Sequence, residues 1–165
     1  MTENFKRSRY IRLILIAGCV VALDQMTKAL VLKTIELYHS IHVIPGFFSF
    51  THIHNPGGAF GFMARQGPGV RAFLFLAVSF LAILLLFYLY RKVPRRYPWL
   101  SAGLALIMGG AAGNLTDRLR FGEVVDFFDF YAGTYHWPAF NVADSAVTVG
   151  ITILLIHIVL GKLPE

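Results

Sequence analysis

The sequence predicts an all-α polytopic membrane protein with four transmembrane helices, and three observations support this fold class. Apolar residues make up 56% of the 165 residues and charged residues only 15%, against about 25% charge in a typical soluble domain. Four mainly apolar stretches each approach the roughly 20 residues that a helix needs to cross a bilayer. The 15 Lys and Arg, against 9 Asp and Glu, cluster between these stretches, which is typical of membrane topology rather than of nucleic-acid binding.

We expect one domain over residues 1–165, with spans at about 11–32, 70–90, 99–119 and 140–160. The first span is interrupted by Asp24, Gln25 and Lys28, and the third is rich in glycine and alanine at 109–113, which favours close helix packing. Cys19 is the only cysteine and lies inside the first span, so neither a disulfide framework nor a cysteine metal cluster is expected.

The basic flanks predict the orientation, because Lys and Arg in short loops stay on the cytoplasmic side. Nine of them precede span one, separate spans two and three, or follow span four: Lys6, Arg7, Arg9, Arg12, Arg91, Lys92, Arg95, Arg96 and Lys162. With four spans these flanks share one side, so both termini are expected in the cytosol and the loops 33–69 and 120–139 outside. The pattern of 43–60 predicts short strands broken by turns, and the aromatic residues of 120–139 suit the outer headgroup level.

Polar residues converge at one depth in this topology. Placing a charge near the centre of a span costs at least about 2.5–3.5 kcal/mol, so a charged residue there indicates a structural or functional role. Six polar residues fall just beneath the outer surface: Asp24, Asn114, Asp117, Asp126, Asn141 and Asp144. Asn114 and Asp117 are three residues apart, as are Asn141 and Asp144, so each pair is expected to share a helix face. The sequence therefore predicts a site in which several carboxylates share a partly dehydrated space.

Simpler interpretations exist for several of these residues. Asp24 and Lys28 are four apart and could neutralise each other, while Asp117 could form an ion pair with Arg118. Asp144 could be a first-turn charge that the helix dipole favours. A pairing of Asp24 with Lys28 would still be compatible with orienting a site.

Other residues are assigned smaller roles. His52 and His54 could share a strand face and bind metal, but the sequence offers no third convergent ligand, so no metal is expected. His157 is interpreted as a hydrogen-bonded packing histidine. The segment 16–19 after a basic start looks like a lipobox, which would make the chain a lipoprotein precursor, but the apolar run continues beyond it.

Two carboxylates held close together in a low dielectric cannot both ionise easily, so they share one proton and their pKa values separate. The ionised member can take a proton from water while the protonated member polarises a carbonyl, as in aspartic proteases. This chemistry needs no cofactor. A transporter or proton pathway is the alternative, but no internal repeat is visible and the polar groups favour one surface over the midplane.

Five short motifs lie in order along the chain: Asp24-Gln25 with Lys28, 55–60 (NPGGAF), 109–118 (GGAAGNLTDR), 124–127 (VVDF) and 140–145 (FNVADS). Together they resemble the motifs of the bacterial lipoprotein signal peptidases (signal peptidase II), and the resemblance covers essentially the whole chain. The resemblance implies four transmembrane helices with a small extracytoplasmic β-cradle. It also implies a globomycin-sensitive aspartyl endopeptidase of the bacterial inner membrane that removes signal peptides from prolipoproteins before a diacylglyceryl-modified cysteine. We expect the protein to be a monomer.

The resemblance also assigns site residues. Asp126 and Asp144 match the catalytic pair, whereas the residues alone do not distinguish Asp126 from Asp129. The supporting and substrate-binding positions are Asp24, Lys28, Asn55, Gly57, Asn114, Asp117, Arg118 and Asn141. Because a helical substrate must unwind for cleavage, we expect the segment around Asn55 and the loop 120–139 to clamp the unwound stretch. Gly57 and Gly58 are expected to leave room for it. The acyl chains of the substrate are expected to stay among the membrane lipids.

Overall fold

The computed structural model describes residues 3–57 and 67–162. Within them the chain forms four helices, α1 (Glu3–Thr34), α2 (Pro68–Lys92), α3 (Pro98–Phe121) and α4 (Val142–Val159). Four strands also form, β1 (Ser40–Ile44), β2 (Phe48–Asn55), β3 (Val124–Ala132) and β4 (Tyr135–His136). The strands make one antiparallel sheet in the order β1-β2-β3-β4.

Three of the four helices are long and apolar enough to cross a membrane: Ser8–Thr34 within α1, Phe73–Lys92 within α2, and Val142–Val159. Only 6% of the α2 window is buried inside the protein, so nearly all of its apolar surface is available to lipid. The remaining helix, α3, does not reach that apolar composition. The reason is its position, because α3 packs against α1, α2 and α4 and carries small and polar residues toward them. The predicted span over 99–119 therefore stays a prediction.

Glycines allow α3 and α4 to approach each other closely. A Cβ atom on Gly110 would lie 2.3 Å from the carbonyl oxygen of Ala143, and one on Gly150 would lie 2.5 Å from that of Gly103. Both distances are far below van der Waals contact, so no side chain fits there without moving backbone. This close approach places the start of α4 directly against the second half of α3.

Gly110→Ala should lower the stability of the protein. The added methyl group overlaps backbone rather than a flexible side chain, and overpacking of this kind costs about 1–3 kcal/mol. Gly18→Ala is the matched control, because Gly18 is also helical and a Cβ there meets nothing within 4 Å. Thermal unfolding in detergent should show a lower Tm for Gly110→Ala and an unchanged or higher Tm for Gly18→Ala. Equal Tm values for the two variants would contradict this packing.

The basic flanks of the helices gather at one end of the molecule. Arg9 near the start of α1 donates from Nη1 to the carbonyl oxygen of Arg91 at 3.0 Å, at the end of α2. Arg96 and Lys162 line a common cavity between the start of α3 and the end of α4. Both described termini therefore lie at the same end of the molecule.

The sheet lies at the opposite end and joins the two connections that were predicted to face outward. Short strands were predicted within 43–60, and two strands are present there: β1 begins three residues earlier and ends at Ile44, and β2 spans Phe48–Asn55. The strand β3 was not predicted, because its sequence is mainly apolar and shows no regular alternation of apolar and polar residues. Val125 and Phe127 pack against the end of α1, and the ring centre of Phe128 lies 5.9 Å from that of Phe50 and 4.5 Å from that of Phe127. The connection 120–139 thus holds paired strands as well as aromatic residues.

Candidate active site

Lys28 is the buried centre of a polar cluster between the helices and the sheet. Its side chain is 2% exposed, and Nζ lies 2.9 Å from Oδ2 of Asp24 and 2.7 Å from Oδ2 of Asp117. Nζ also donates to Oδ1 of Asn114 at 3.0 Å. The predicted pair of Asp24 and Lys28 is present, but Asp117 pairs with Lys28 and not with Arg118. Three oxygen acceptors thereby match the three protons of one ammonium group.

The two carboxylates beside Lys28 connect it to neighbouring elements. Asp24 accepts from the backbone N–H of Ala143 at 3.0 Å, at the start of α4. Asp117 accepts from the backbone N–H of Val125 at 3.1 Å, in β3. Gly113 makes room for this arrangement, since a Cβ there would lie 2.7 Å from Oδ2 of Asp24. The ion cluster therefore positions both the strand that carries Asp126 and the helix that carries Asp144.

Gln25, which lies in the first motif, is a member of the cluster that was not predicted as a site residue. Its Nε2 donates to Oδ1 of Asp117 at 2.8 Å and to Oδ2 of Asp24 at 3.1 Å, and its Oε1 accepts from Arg120 at 3.2 Å. The sequence did contain a signal for this role, because Gln25 is an amide next to Asp24 inside an apolar span. A buried amide needs hydrogen-bond partners, so Gln25 could have been predicted to join the cluster.

Asn141 caps α4 and links the remaining residues. It was predicted to lie within a span and share a helix face with Asp144, but it is the residue before the first helical turn, with Asp144 three positions on in a capping box. Its side-chain Oδ1 accepts from the backbone N–H of Asp144 at 2.9 Å, and its backbone N–H donates to Oδ2 of Asp144 at 3.2 Å. Its Nδ2 donates to Oδ1 of Asp126 at 2.7 Å. One fully buried asparagine therefore contacts both Asp126 and Asp144.

Each of these two aspartates has a second amide donor. Asp126 accepts at Oδ2 from Asn55 at 2.9 Å, and Asp144 accepts at Oδ1 from Asn114 at 2.8 Å. Burial, with a smaller contribution from the negative charge of Asp144, raises the pKa of Asp126 to about 7, although the hydrogen bonds from Asn55 and Asn141 lower it. A carboxyl group with this pKa can hold or release a proton near neutral pH.

The structure separates Asp126 from Asp129 on the same strand. Asp129 lies three residues further on and therefore on the opposite face of the sheet. It contacts Nδ1 of His136 at 2.9 Å and is not connected to Asn141 or Lys28. Only Asp126 faces the start of α4.

Arg118 and Gly57 lie at the edge of the cluster. Among the described residues, Arg118 forms no ion pair within 4.0 Å; its Nη1 donates to Oγ of Ser79 at 3.5 Å, and its guanidinium lies 5.6 Å from the ring centre of Phe75. Gly57 has φ of +84°, and a Cβ there would lie 2.8 Å from the same Phe75 ring. Its backbone N–H donates to Oδ1 of Asn55 at 2.9 Å. Gly58 lies outside the described residues.

The histidines form contacts of their own. Nε2 of His54 lies 3.2 Å from Nε2 of His52, and Nδ1 of His52 lies 2.8 Å from the carbonyl oxygen of Ile35. In the described parts of the chain no group of three or more His, Cys, Asp or Glu side chains could hold a metal ion. His157 bonds the carbonyl oxygen of Ile153 at 2.8 Å, as expected for a packing histidine.

The arrangement suits acid–base chemistry by two aspartates. One carboxyl group is buried and has a raised pKa, and a second is anchored in the first turn of a helix, whose dipole favours negative charge. Both accept hydrogen bonds from uncharged amides, which orient them without neutralising them. Across residues 3–57 and 67–162, no buried side-chain nitrogen or oxygen lacks a partner, so the geometry of the pair is well constrained.

Comparisons with known proteins agree on one family. The family model for signal peptidase (SPase) II matches residues 16–160. A lipoprotein signal peptidase of Desulforapulum autotrophicum is 55% identical over 155 residues, covering 94% of this chain and 96% of the relative. One of Syntrophus aciditrophicus is 46% identical over 144 residues, covering 87% and 89%.

Two solved structures have the same fold. Both are described as a bacterial membrane enzyme structure determined by the in meso method, one at 2.3 Å and one at 1.9 Å resolution. They superpose with TM-scores of 0.78 and 0.77, each at 33% sequence identity. The first covers 89% of this chain and 87% of its own, and the second 88% and 91%.

Proposed function

Because this chain belongs to the signal peptidase II family, we propose that it removes signal peptides from prolipoproteins by an aspartyl mechanism, cutting before a diacylglyceryl-modified cysteine. Asp126 and Asp144 are the catalytic pair of this proposal. The observation that carries it is the buried Asn141, which contacts both carboxyl groups. No cofactor enters the mechanism.

The two aspartates take different roles in hydrolysis. Asp126, protonated below about pH 7, donates a hydrogen bond to the scissile carbonyl and stabilises the developing oxyanion. Asp144, as carboxylate, accepts a proton from the attacking water. In the collapse of the tetrahedral intermediate, Asp144 returns that proton to the leaving amine. Asn114 and Asn141 hold Asp144 in place, while Lys28 and its partners hold the strand and helix that carry the pair.

The position of the site suits a membrane-embedded substrate. The cluster lies between the sheet and the ends of three helices, so a signal-peptide helix can unwind there while sheet and loop groups replace its lost hydrogen bonds. Asn55, at the end of β2, and the positive φ of Gly57 place backbone close to Asp126. In this proposal that segment clamps the unwound stretch, and Arg118 lies at the edge where the substrate enters.

The membrane arrangement completes the proposal. All four helices span the bacterial inner membrane in one domain, with both termini in the cytosol and the sheet at the periplasmic surface. This orientation follows from the basic flanks gathered at the end opposite the sheet. The central helix α3 spans despite its polar residues, because its neighbours cover them. The protein acts as a monomer, since one chain supplies both aspartates and their partners.

The test is cleavage of a purified prolipoprotein precursor by the full chain in detergent. A precursor carrying diacylglycerol on its cysteine should yield a mature product that begins at that cysteine, as read by mass spectrometry. The same precursor without the lipid is the matched control and should remain intact. Cleavage at another bond, or equal cleavage of both precursors, would contradict the proposal.

The rate of this cleavage should fall as pH rises through about 7. The pKa of Asp126 is raised from 3.8 to about 7, so its proton is retained below that pH and lost above it. In the limit, kcat/KM falls about tenfold per pH unit. Asn55→Ala removes a hydrogen bond that favours the charged form, so its alkaline limb should move to higher pH. A profile that stays flat between pH 6 and 9, or a limb unmoved in Asn55→Ala, would show that Asp126 does not act as the acid.

A further inference from the structure

Gln25 is a half-buried amide of α1 that the proposed mechanism does not use. Its Nε2 donates to Oδ1 of Asp117 at 2.8 Å, to Oδ2 of Asp24 at 3.1 Å and to the carbonyl oxygen of Gly113 at 3.3 Å. Lys28 contacts the same two carboxylates, and its contact with Asp117 is at Oδ2. The two oxygens of Asp117 are therefore held by different side chains.

Asp24 and Asp117 each accept a hydrogen bond from the backbone N–H of the residue before one of the two proposed catalytic aspartates. At the start of α4 the donor is Ala143, 3.0 Å from Oδ1 of Asp24. In β3 the donor is Val125, 3.1 Å from Oδ2 of Asp117. Because the amide of Gln25 bonds both carboxylates, one side chain ties the start of α4 to β3.

Arg120 orients the amide of Gln25 from its other end. Its Nη1 donates to Oε1 of Gln25 at 3.2 Å, and its guanidinium lies 4.7 Å from the ring centre of Phe121. The carbonyl end of the amide thus faces a cation, while its N–H groups face two carboxylates. A reversed amide would place donor against donor and acceptor against acceptor, so these neighbours fix its orientation.

We propose that Gln25, oriented by Arg120, is a positioning residue that sets the placement of Asp126 relative to Asp144. Within residues 3–57 and 67–162 its side chain makes no hydrogen bond to either aspartate of this pair, so it acts through the backbone that precedes each of them. The effect on cleavage rests on the proposed peptidase function, whereas the effect on the backbone of β3 does not.

The carboxylate of Asp117 shows why the contact with Lys28 is not sufficient. An ammonium group is a compact point charge with rotatable donors, so a carboxylate bound to it can still turn. A second donor at Oδ1 restricts that rotation, which would otherwise move Oδ2 away from the backbone N–H of Val125. Replacing Gln25 should therefore loosen this part of β3 while the ion pairs of Lys28 persist.

The first test is hydrogen–deuterium exchange of the full chain in detergent, read by mass spectrometry in a peptide that contains Val125. Gln25→Leu should raise the exchange rate of this amide about tenfold, because its acceptor is less constrained. Thr27→Val is the matched control and should leave the rate unchanged, since the described hydrogen bonds of this hydroxyl go to backbone oxygens of α1, those of Leu23 and Asp24. Equal exchange in Gln25→Leu and the unaltered chain would overturn the proposal.

The second test is steady-state cleavage of the lipid-modified precursor. Gln25→Leu should lower kcat about tenfold with KM little changed, because the substrate still binds but the two aspartates are misplaced. Arg120→Met should lower kcat less. The double variant should be no slower than Gln25→Leu alone, since Arg120 acts through Gln25. Thr27→Val should cleave as the unaltered chain does.

Gln25→Glu supplies a measurement that a general loss of stability would not reproduce. The charged groups that contact this position or its partners are Asp24, Lys28, Asp117 and Arg120. A protonated carboxyl group can donate to Asp117 and accept from Arg120 as the amide does, whereas an ionised one repels both aspartates. The kcat of Gln25→Glu, relative to the unaltered chain at the same pH, should therefore rise as pH falls from about 8 to 6. A ratio independent of pH would contradict the role assigned to the amide.

Failure of the peptidase function can be recognised separately. If the unaltered chain does not cleave the precursor, the proposed function is wrong, and exchange at Val125 still tests the role of Gln25. If the unaltered chain cleaves and Gln25→Leu has the same kcat, the positioning role is wrong and the peptidase function stands.

Discussion

Asp126→Asn and Asp144→Asn should each reduce cleavage of a lipid-modified precursor by about 10³-fold or more. Asparagine has nearly the same shape as aspartate but can neither hold a transferable proton nor accept one from water. General acid–base catalysis contributes about 10²–10⁴-fold per group, and both groups are needed in the same step. We expect kcat to fall and KM to change little, because neither substitution removes bulk from the site. The measurement is single-turnover cleavage in detergent.

Asp129→Asn is the matched control for these two variants. Asp129 lies on the same strand as Asp126, but it contacts His136 on the opposite face of the sheet. Its replacement should leave cleavage within a few fold of the unaltered chain. All three variants should insert in the membrane and elute as the unaltered protein does in size-exclusion chromatography. Robust turnover by Asp126→Asn or Asp144→Asn would show that the pair does not carry the reaction.

Lys28→Met should strongly destabilise the protein. Methionine fills a similar volume but leaves Asp24 and Asp117 buried without their cation, at positions now 2.9 and 2.7 Å from Nζ. Removing one partner of a buried ion pair costs about 3–5 kcal/mol. Because these aspartates bond the backbone of Ala143 and Val125, cleavage should be lost as well. Thermal unfolding in detergent, followed by circular dichroism, measures the first effect.

Lys33→Met is the matched control on the same helix, since Lys33 is exposed. It should leave both Tm and cleavage nearly unchanged. Adding Asp117→Asn to Lys28→Met removes one uncompensated charge and should recover part of the lost Tm. If Lys28→Met melts at the same temperature as Lys33→Met, the ion cluster does not hold the helices together.

Much of the helical fold could be predicted from the sequence, because lipid imposes a simple composition on the segments that it surrounds. The three helices with extensive lipid-facing surface, α1, α2 and α4, satisfy the apolar criterion close to the predicted ranges. The central helix α3 does not, since burial among neighbours relaxes the need for apolar side chains. Basic flanks likewise indicated which helix ends lie together. The apolar composition of a helix and the basic residues that flank it are both local features, so each can be recognised within a single stretch of sequence.

Convergence of the polar residues was predictable in outline for a related reason. Charged groups are costly in hydrocarbon, so those within or beside spans are expected to find each other once the topology sets their depth. The sequence pointed to Asp24, Asn114 and Asp117 at a common depth, and in the structure Lys28 joins all three by direct contacts. The partners of each group were not predictable. Arg118 was the possible ion-pair partner of Asp117, but Asp117 pairs with Lys28 in the structure.

The residues alone did not show which aspartate of the connection 120–139 faces the cluster, and only the tertiary structure showed what links it to Asp144. Asp126 and Asp129 have the same local composition, and the pleat of β3 separates them only once β3 pairs with β2. That pairing brings Asn55 to Asp126 across 71 positions of sequence, and the cap of α4 brings Asn141 between the two carboxyl groups. Such contacts depend on packing between distant segments, and a local pattern of residues does not encode them. The hydropathy of the sequence therefore determines which segments form apolar helices suited to a membrane. Contacts between residues far apart in the sequence determine the geometry of the site.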